Sequence, residues 1–335
     1  MNICVLGAGA WGTALTLHLA RLGQHRVTLC PRRMEHALEL ASKRENADYL
    51  PGFSWGPDVQ VGCEFKPALM EADLVILACP MKGLRTFCEE VQAEREDAWQ
   101  IKMVVTLCKG FEQDSLKSPA AIASELLPDL PLGALSGPSN AAEVAAGRPT
   151  AVVLASEADD VLTTRMQEAL NGGSLRVYRS ADLRGVELGG ALKNIYAIGA
   201  GLCDGLKLGD NAKAAYLTRS LREMVKVGVS LGGKTETFFG LSGFGDLVAT
   251  STGEWSRNRT FGENVARGLS IEALMTDRKT VVEGYATTAS FYQLLKDRAD
   301  EVPILAQLYG ILYAGIEPRQ ALGSLLSRAP KPEHS

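Results

Sequence analysis

The chain is 335 residues long, with 46% hydrophobic residues, 22% charged residues and a formal net charge of −4. This composition is that of a soluble globular protein of one or two domains and excludes a disordered chain. The slightly acidic charge argues against nucleic acid as a partner. No window of about 20 residues is free of charge, so we expect no stable membrane insertion.

The cysteines and the N-terminal residues indicate in which cellular compartment the protein is expected. There are seven cysteines, an odd number with no C-x-x-C pair, and the first positive side chain is Arg21. Small buried thiols in a reducing compartment are the simplest interpretation of such cysteines. The apolar start lacks the basic segment of a secretory signal. We therefore expect a cytoplasmic protein with reduced cysteines and no metal site.

The first half alternates short apolar runs with segments of helical pattern. Continuous Val, Leu and Ile runs are typical of strands buried on both faces, and their alternation with helices predicts a mainly parallel sheet. The predicted strands are NICVL (2–6), RVTLC (26–30), LVILA (74–78), KMVVTL (102–107), PLGAL (131–135) and TAVVLA (150–155).

After residue 180 the extended Val and Ile runs become scarce, and long segments rich in Ala, Leu, Gly and Lys follow. We expect an α/β domain of residues 1–180 and an all-α C-terminal domain of residues 181–335. The last eight residues, RAPKPEHS, are expected to form a frayed tail. The predicted helices cover 184–203, 210–232, 258–267, 271–276, 284–297 and 303–327.

The pattern G-x-G-x-x-G follows the first predicted strand directly, at Gly7, Gly9 and Gly12. Between a strand and a helix, the first glycine permits a tight turn and the second allows the backbone to approach a pyrophosphate. The third lets helix and strand pack closely. A bound dinucleotide would place its pyrophosphate at the N-terminus of the helix. The alternative is a glycine-rich turn without a ligand.

The residues after the second predicted strand bear on the choice of dinucleotide. A site selective for NAD(H) usually carries an acidic residue about 20 residues beyond the glycines, where it binds the ribose 2′-hydroxyl. Here Arg32 and Arg33 occupy that place, and no acidic residue precedes Glu35. Because arginine pairs well with a 2′-phosphate, we favour NADP(H) over NAD(H). NAD(H), or two arginines that are merely solvated, remain the alternatives.

Reduction of a carbonyl by hydride also needs a proton donor near the oxygen. Histidine is absent from residues 37–333, so the second domain cannot supply it. Lys193 lies in the apolar segment VELGGALKNIYAIGAGL, where burial would lower its pKa. Gly189 lies one helical turn earlier on the same face, and its missing side chain would leave space for a ligand over the ammonium. The alternative is a lysine that reaches solvent, beside glycines that only permit close packing.

A second polar cluster lies in GLSGFGDLVATSTGEWSRNRTFG, residues 240–262. Arg257 and Asn258 are suited to grip phosphate oxygens, and Ser256 adds a hydroxyl. We expect Asp246, between glycine turns, to be exposed enough to accept from a substrate hydroxyl or to pair with Lys193. The alternative is a solvated basic loop.

Two more segments follow predicted strands at the edge where α/β sheets bind ligands. Lys109 comes just after the fourth predicted strand, in LCKGFE. Gly137 and Ser139 follow the fifth, in LSGPSNAAEVAAGRPT. Backbone N–H groups at the start of NAAEVAAG offer further donors to an anion.

The combined motifs resemble the bacterial-type NAD(P)-dependent glycerol-3-phosphate dehydrogenases along nearly the whole chain. The resemblance implies an N-terminal Rossmann-like domain, an α-helical C-terminal domain and a site in the cleft between them. It implies reversible hydride transfer between NAD(P)H and dihydroxyacetone phosphate, giving sn-glycerol 3-phosphate for phospholipid synthesis. The motifs are GAGAWGTAL, LCKGFE, LSGPSNAAEVAAGRPT, GVELGGALKNIYAIGAGLCDGL, GLSGFGDLVATSTGEWSRNRTFG and VVEGY.

The resemblance also implies roles for single residues. It makes Lys193 the acid/base, and we group Asp246 with it as catalytic. The implied substrate-binding residues are Lys109, Gly137, Ser139, Lys193, Asp246, Ser256, Arg257 and Asn258. From the glycine pattern and the resemblance together, the residues expected at the dinucleotide are Gly7, Gly9, Ala10, Trp11, Gly12, Arg32, Arg33, Lys109, Ala141, Arg257, Val281 and Glu283.

Some features depart from the family's usual pattern. Asn140 stands where an aromatic residue is common, GLSGFGD replaces GLAGLGD, and PRR follows the second predicted strand. Two other functions stay open: another two-domain NADPH-dependent reductase acting on a hydroxy or sugar acid, and a dinucleotide-sensing protein without catalysis. The expected small-molecule partner is a triose phosphate, and a homodimer is the assembly that we consider.

Overall fold

The structure is a computed structural model that describes residues 1–113, 115–276, 282–330 and 332–333. Within these ranges no helix is long and apolar enough to cross a membrane. The same ranges contain no group of three or more His, Cys, Asp or Glu side chains placed to hold a metal ion. Val281 and part of the predicted tail lie outside the described residues.

An eight-stranded sheet forms the centre of the first half. The described strands are β1 (Asn2–Leu6), β2 (Arg26–Cys30), β3 (Glu45–Asn46), β4 (Leu50–Ser54), β5 (Val59–Val61), β6 (Leu74–Leu77), β7 (Met103–Thr106), β8 (Leu132–Ser136), β9 (Thr150–Ser156) and β10 (Leu175–Ser180). The sheet order is β10-β9-β8-β7-β6-β1-β2-β5, and β3 pairs with β4 separately. All neighbours in the large sheet are parallel except β8 and β9.

Each of the six predicted apolar runs forms a strand, and the α/β Rossmann-like class with a mainly parallel sheet is confirmed. The sequence did not predict β5, β10 or the β3–β4 pair. Strand β10 (LRVYRS) exposes several of its residues, including two arginines, so its sequence lacks the continuous apolar run of a buried strand.

Helices cover both faces of the sheet. On β1, Ile3 and Val5 point into one hydrophobic cluster, while Cys4 and Leu6 point into another on the opposite face. This alternation follows from the period of two along a strand. The helices of this half are α1 (Ala10–Leu22), α2 (Met34–Lys43), α3 (Phe65–Glu71), α4 (Leu84–Ala93), α5 (Pro119–Leu126), α6 (Ala141–Ala145) and α7 (Asp160–Leu170).

The strand order reverses at β1, which lies between β2 and β6. Helix α1, after β1, packs in one face cluster, and α4, after β6, packs in the other. A crevice therefore opens at the carboxyl ends of β1 and β6, the place where ligands bind in open α/β sheets. The predicted glycine turn lies directly at this crevice, because it follows β1.

The second half is helical within the described residues, in agreement with the predicted all-α class. Its helices are α8 (Leu183–Gly205), α9 (Asp210–Ser230), α10 (Thr235–Phe238), α11 (Asp246–Thr252), α12 (Arg257–Ala266), α13 (Ile271–Thr276), α14 (Glu283–Leu295), α15 (Pro303–Tyr313) and α16 (Pro318–Leu326). Leu241–Gly245 adds one π-helical turn before α11. The segment 303–327, predicted as helical throughout, is two helices, because Gly315 takes a φ of +70° and Pro318 begins α16.

Helix α8 takes part in two hydrophobic cores. Leu183 and Val186, in its first turns, pack with Ala134 of β8 and Val153 of β9. From Leu188 onward its apolar residues pack in the helical core. The helix is therefore continuous from the edge of the sheet into the middle of the second half.

Glycines let α8 and α12 cross with their backbones in contact. A Cβ on Gly201 would overlap the carbonyl oxygen of Arg259, and one on Gly262 would overlap that of Ile198. Arg259 also donates from Nε to Asp204 Oδ2 at 2.6 Å, at the end of α8. This crossing fixes the start of α12 relative to α8.

Candidate active site

The glycine turn has the geometry that its sequence predicts. Gly7 takes a φ of +106°, and a Cβ there would overlap the carbonyl oxygen of Ala78. A Cβ on Gly12 would overlap the carbonyl oxygen of Gly7, so this glycine permits the close approach of α1. Gly9 has no atom within 4 Å of a Cβ position and lies beside open space. The space at Gly9 is where a ligand backbone could approach.

The N-terminus of α1 lies at this space and has no side-chain cap. Its N-cap is Gly9, which supplies no side-chain cap, and the indole Nε1 of Trp11 is buried without a hydrogen-bond partner among the described residues. Ala10, the first residue of α1, lies beside them. These features fit the pyrophosphate of a dinucleotide, since helix N-termini bind phosphate oxygens through backbone N–H groups.

An amide that sequence reasoning missed holds the turn in place. Asn46 Nδ2 donates to the carbonyl of Ala8 at 2.9 Å and to Thr13 Oγ1 at 2.8 Å, and His36 Nε2 lies 3.3 Å from Asn46 Oδ1. Asn46 is part of the short β3–β4 pair, far from the glycines in sequence. No local pattern signals this contact.

Arg32 and Arg33 are both exposed just after β2, as expected from the sequence. Neither forms an ion pair with another described residue. Burial raises the pKa of Glu90, and the positive charge of Arg32 partly offsets this rise. Arg33 is the N-cap residue of α2. Both guanidinium groups are therefore free to pair with an anion.

A buried chain of charged groups links the two halves of the protein. Lys193 Nζ donates to Asp246 Oδ1 at 2.9 Å and to Thr250 Oγ1 at 2.6 Å. Lys109 Nζ donates to the other carboxylate oxygen, Asp246 Oδ2, at 2.6 Å and to the carbonyl of Gly137 at 3.1 Å. One carboxylate thus holds two ammonium groups, one from the sheet edge and one from α8.

The surroundings of these groups shift their pKa values. Burial lowers the pKa of Lys193 to about 8, with Asp246 opposing the shift and the positive charges of Lys109 and Arg257 adding to it. Burial alone would raise the pKa of Asp246, but the two ammonium groups hold it below its usual value. Near neutral pH Asp246 is therefore ionised, and Lys193 exchanges a proton more readily than an exposed lysine.

Two sequence-based expectations about this cluster are wrong. Asp246 pairs with Lys193, as one of the two expectations for it said, but the expected exposure is wrong: Asp246 is only 1% exposed, because the π-helical turn before α11 folds it inward between the two lysines. The missing side chain of Gly189 leaves no room for a ligand, since a Cβ there would meet the backbone of Ser242 and Gly243. The glycine before Lys193 permits close packing of α8 on this turn, which was the alternative interpretation. Thr250, the second acceptor for Lys193, was not predicted.

The loop after β8 lies beside Lys109. Gly137 takes a φ of +128°, and its carbonyl accepts from both Lys109 and the hydroxyl of Ser139, the latter at 3.0 Å. Asn140, which departs from the family pattern, caps α6 by accepting from the N–H of Glu143 at 3.0 Å. Ala141 is the first residue of α6. The departure at Asn140 therefore serves a helix cap.

The predicted phosphate-gripping residues lie at the start of α12, and two of them already have protein partners. Ser256 caps α12 by accepting from the N–H of Arg259. Asn258 Nδ2 donates to Asn194 Oδ1 at 2.9 Å, and its Oδ1 accepts from the N–H of Gly284 at 2.9 Å. Through these two bonds Asn258 connects Asn194, the residue after Lys193 in α8, to Gly284 in α14.

Arg257 is exposed, unlike Ser256 and Asn258 on either side of it. Its charge lowers the pKa of Lys193 and opposes the rise, to about 7, that burial causes in the pKa of Glu283. Arg257 is thus an exposed cation whose charge reaches the buried lysine. Val281, also expected at the dinucleotide, lies outside the described residues.

A glycine turn at the point where strand order reverses, together with a buried lysine joined through Asp246 to Lys109 at the sheet edge, defines a dinucleotide-dependent dehydrogenase. Two family models match the chain: NAD-dependent glycerol-3-phosphate dehydrogenase N-terminus over residues 2–162, and the C-terminus of the same family over residues 182–323. The chain belongs to the NAD-dependent glycerol-3-phosphate dehydrogenase family, which confirms the resemblance of its motifs.

Individual relatives agree with this family. A glycerol-3-phosphate dehydrogenase (NAD(P)+) of Thiobacillus denitrificans is 44% identical over 334 residues, covering 99% of this chain and 100% of the relative. The crystal structure of glycerol-3-phosphate dehydrogenase from Coxiella burnetii superposes with a TM-score of 0.89 at 36% identity, covering 97% of this chain and 98% of that one. A D-mandelate dehydrogenase matches at 15% identity and a TM-score of 0.55, which shows the fold alone.

Proposed function

We propose that this protein interconverts dihydroxyacetone phosphate and sn-glycerol 3-phosphate with NAD(P)H, and thereby supplies glycerol phosphate for phospholipid synthesis. The observation that carries the proposal is the buried Lys193 ammonium, held by Asp246 and Thr250. It provides a proton donor of lowered pKa, joined through Asp246 to Lys109 at the carboxyl edge of the sheet. The relatives named above support this substrate over a hydroxy or sugar acid.

The dinucleotide is held by this chain's own residues at the crevice of the sheet. Gly7, Gly9 and Gly12 with the start of α1 bind the pyrophosphate, since Gly9 leaves the backbone accessible. When bound, the reduced nicotinamide supplies the hydride that the carbonyl carbon receives. The remaining proposed contacts are those of Ala10, Trp11, Arg32, Arg33, Lys109, Ala141, Arg257, Val281 and Glu283.

The substrate is positioned by its phosphate and its oxygens. Arg257, exposed at the start of α12, pairs with the phosphate, and Asn258 and Ser256 line the same end of the helix. Lys109, Gly137 and Ser139 form the opposite wall, at the sheet edge. A phosphate grip of this kind fixes the reacting carbon, so it contributes to the chemical step as well as to binding.

Lys193 moves the proton. In the reductive direction its ammonium donates a proton to the carbonyl oxygen as the carbon receives hydride. In the oxidative direction neutral Lys193 takes the hydroxyl proton of glycerol 3-phosphate. Asp246 stays ionised throughout and orients the lysine, because Lys109 also neutralises it.

Residues 1–180 and 181–335 are the two domains, and NADP(H) is preferred to NAD(H) because Arg32 and Arg33 are unpaired beside β2. The protein works in the cytoplasm, as a homodimer, and binds no nucleic acid. Its negative net charge of −4 supports the last point.

The test is a spectrophotometric assay of dihydroxyacetone phosphate with NADPH and with NADH, and of a hydroxy-acid substrate in parallel. We expect turnover with the triose phosphate, and a loss of roughly 10²–10⁴-fold in kcat for Lys193→Ala, as for other lost acid/base groups. Lys234→Ala, which removes an exposed lysine, is the matched control. Near wild-type turnover of Lys193→Ala would make the lysine structural, and binding of NADPH without any turnover would favour a sensor.

A further inference from the structure

Two thiols meet at the carboxyl edge of the sheet, between the glycine turn and Lys109. Cys79 follows β6 and Cys108 follows β7. Their Sγ atoms are 3.7 Å apart, and the Cys108 thiol also donates to the carbonyl of Cys79 at 2.9 Å. Neither the family comparison nor the proposed mechanism uses these two cysteines.

The register of the two strands brings these residues directly opposite each other. Leu77 of β6 pairs with Thr106 of β7, and the N–H of Leu107 donates to the carbonyl of Leu77. Cys79 and Cys108 each lie two residues beyond this last pair, so continuing the register sets them opposite each other, which agrees with their Sγ separation of 3.7 Å. Neighbouring strands lie about 4.8 Å apart, within the Cα separation of about 4.4–6.8 Å that a disulfide spans.

A second thiol pair in the same sheet provides an internal comparison. The Sγ atoms of Cys4 and Cys30 are 3.9 Å apart, almost as close. In the register of β1 and β2, however, Cys4 pairs with Thr28 and Leu6 pairs with Cys30. The two cysteines are therefore diagonal, with Cα atoms roughly 8 Å apart by strand geometry, beyond the span of a disulfide without backbone movement.

The two cysteine pairs also differ in their exposure to solvent. Cys79 and Cys108 are 9% and 8% exposed, at the edge that faces the crevice, whereas Cys4 and Cys30 are 1% and 0% exposed inside the sheet. The hydrogen bond to Cys108 and burial raise the pKa of the Cys79 thiol.

The backbone at both thiols also supports the active site. The carbonyl of Ala78 lies where a Cβ on Gly7 would be, and the nitrogen of Cys79 is 3.5 Å from that position, so this segment packs directly against the glycine turn. Lys109, bonded to Asp246, directly follows Cys108. Forming the S–S bond removes the hydrogen bond from the Cys108 thiol to the Cys79 carbonyl and so changes the contact between the segment under the glycine turn and the segment that carries Lys109.

We propose that Cys79 and Cys108 are an oxidation site, which a hydroperoxide converts to a disulfide that reversibly lowers dehydrogenase activity. One of the two sulfurs attacks the peroxide, breaking its O–O bond and giving a sulfenic acid and water. The other sulfur then displaces a second water from the sulfenic acid and forms the S–S bond. The two thiols together lose two electrons, which reduce one hydrogen peroxide to two waters. A dithiol reverses the change.

The full chain is treated with hydrogen peroxide, alkylated under denaturing conditions and mapped by peptide mass spectrometry, in a Cys63→Ser background that removes the exposed cysteine. We expect a disulfide-linked pair of peptides containing Cys79 and Cys108, and alkylated free thiols at Cys4 and Cys30. A map in which Cys79 and Cys108 stay alkylated, or in which Cys4 joins Cys30 equally, would overturn the proposal. This readout does not depend on activity.

The loss of activity rests on the proposed function and is measured separately. We expect peroxide to lower kcat/KM for dihydroxyacetone phosphate by about tenfold or more, with recovery in dithiothreitol. Cys79→Ser should abolish the recoverable part of the loss, while Cys30→Ser should keep it. A complete disulfide with unchanged activity would overturn the regulatory half of the proposal. If the untreated enzyme has no activity, only the proposed function fails, because the peptide map still tests the disulfide.

Discussion

At Asp246 a single buried carboxylate binds two lysines that come from different halves of the chain. A carboxylate with only one partner would leave an ammonium buried without compensation, which is costly. Two ammonium groups on one carboxylate leave one net positive charge in the site. That charge suits a cluster whose proposed ligands are both phosphorylated and anionic.

The lowered pKa of Lys193 gives a pH dependence of opposite sign in the two directions. Oxidation needs the neutral amine, so kcat/KM for glycerol 3-phosphate should rise as pH increases through about 8. Reduction needs the ammonium, so kcat/KM for dihydroxyacetone phosphate should fall over the same range. Asp246→Asn removes the charge that favours the ammonium and should move both limbs to lower pH. Profiles of the same sign in both directions would contradict the role of Lys193.

Arg32 should affect one cofactor more than the other. Because its guanidinium is exposed and unpaired after β2, Arg32→Ala should weaken NADPH binding by roughly tenfold and leave NADH binding nearly unchanged. Dissociation constants from fluorescence titration of both cofactors test this. Arg148→Ala, which removes an exposed arginine elsewhere, is the control. Equal losses for both cofactors would contradict a 2′-phosphate contact.

Among single residues, the sequence predicted those whose role depends on neighbours along the chain. Gly7, Gly9 and Gly12 are of this kind, because strand, turn and helix are contiguous. The burial of Asp246 could not be predicted, since its partner Lys109 lies 137 residues away. Thr250 and Asn46 were missed for the same reason: nothing adjacent to them marks a contact with Lys193 or with the glycine turn.

At the scale of elements, two glycines of the same turn should have different effects on stability and on cofactor binding. Gly9→Ala meets no atom in the free protein, so Tm should be unchanged, while Kd for NADPH should rise by about tenfold or more. Gly7→Ala combines a φ of +106° with overlap on Ala78, so it should lower Tm strongly. Calorimetry and cofactor titration of both variants provide the test. A Gly9→Ala protein that binds NADPH normally would argue against a pyrophosphate at this turn.

The crossing of α8 and α12 should be intolerant of a single methyl group. Gly201→Ala forces a Cβ into the carbonyl of Arg259 and should lower the free energy of unfolding by about 3 kcal/mol or more. The control is Gly323→Ala in α16, exposed and with no atom within 4 Å, which should raise it by about 0.4–1 kcal/mol. Urea unfolding measures both. Equal effects of the two substitutions would show that the crossing is loosely packed.

Strands were predictable where their sequence is a continuous apolar run. The strands β1 and β6 are continuous apolar runs and were predicted within one residue, whereas β10 was not, because its residues alternate between buried and exposed. The segment 303–327 was predicted as helical without a break, because its apolar spacing continues past Gly315. Only the left-handed backbone at that glycine ends α15.

For the whole molecule, buried carboxyl groups make stability depend on pH. Burial raises the pKa of Glu223 to about 7, although it accepts from the N–H groups of Ile304 and Leu305. The folded state binds this proton more tightly than the unfolded chain. Its stabilising contribution is therefore complete below the ordinary value of 4.5 and is lost as pH rises through about 7.

Glu223→Gln should accordingly flatten the pH dependence of Tm. We expect the wild-type Tm to fall between about pH 5 and pH 8, and the variant Tm to fall less. Glu187 and Glu283 have pKa values raised to about 7 by burial, so some dependence should persist in the variant. Glu236→Gln, at an exposed position, should keep the wild-type slope. Identical slopes for all three proteins would contradict this assignment.

Helix α8 restricts how the two halves can move. A hinge between Ser180 and Leu183 would pull Leu183 and Val186 off the sheet, because they belong to the same cluster as Val153. Lys193 lies about three turns after Leu183 in the same continuous helix and thus keeps its position relative to the strand ends. Closure around bound ligands is therefore expected from the loops, and the amide hydrogens of α8 should exchange equally slowly with and without NADPH.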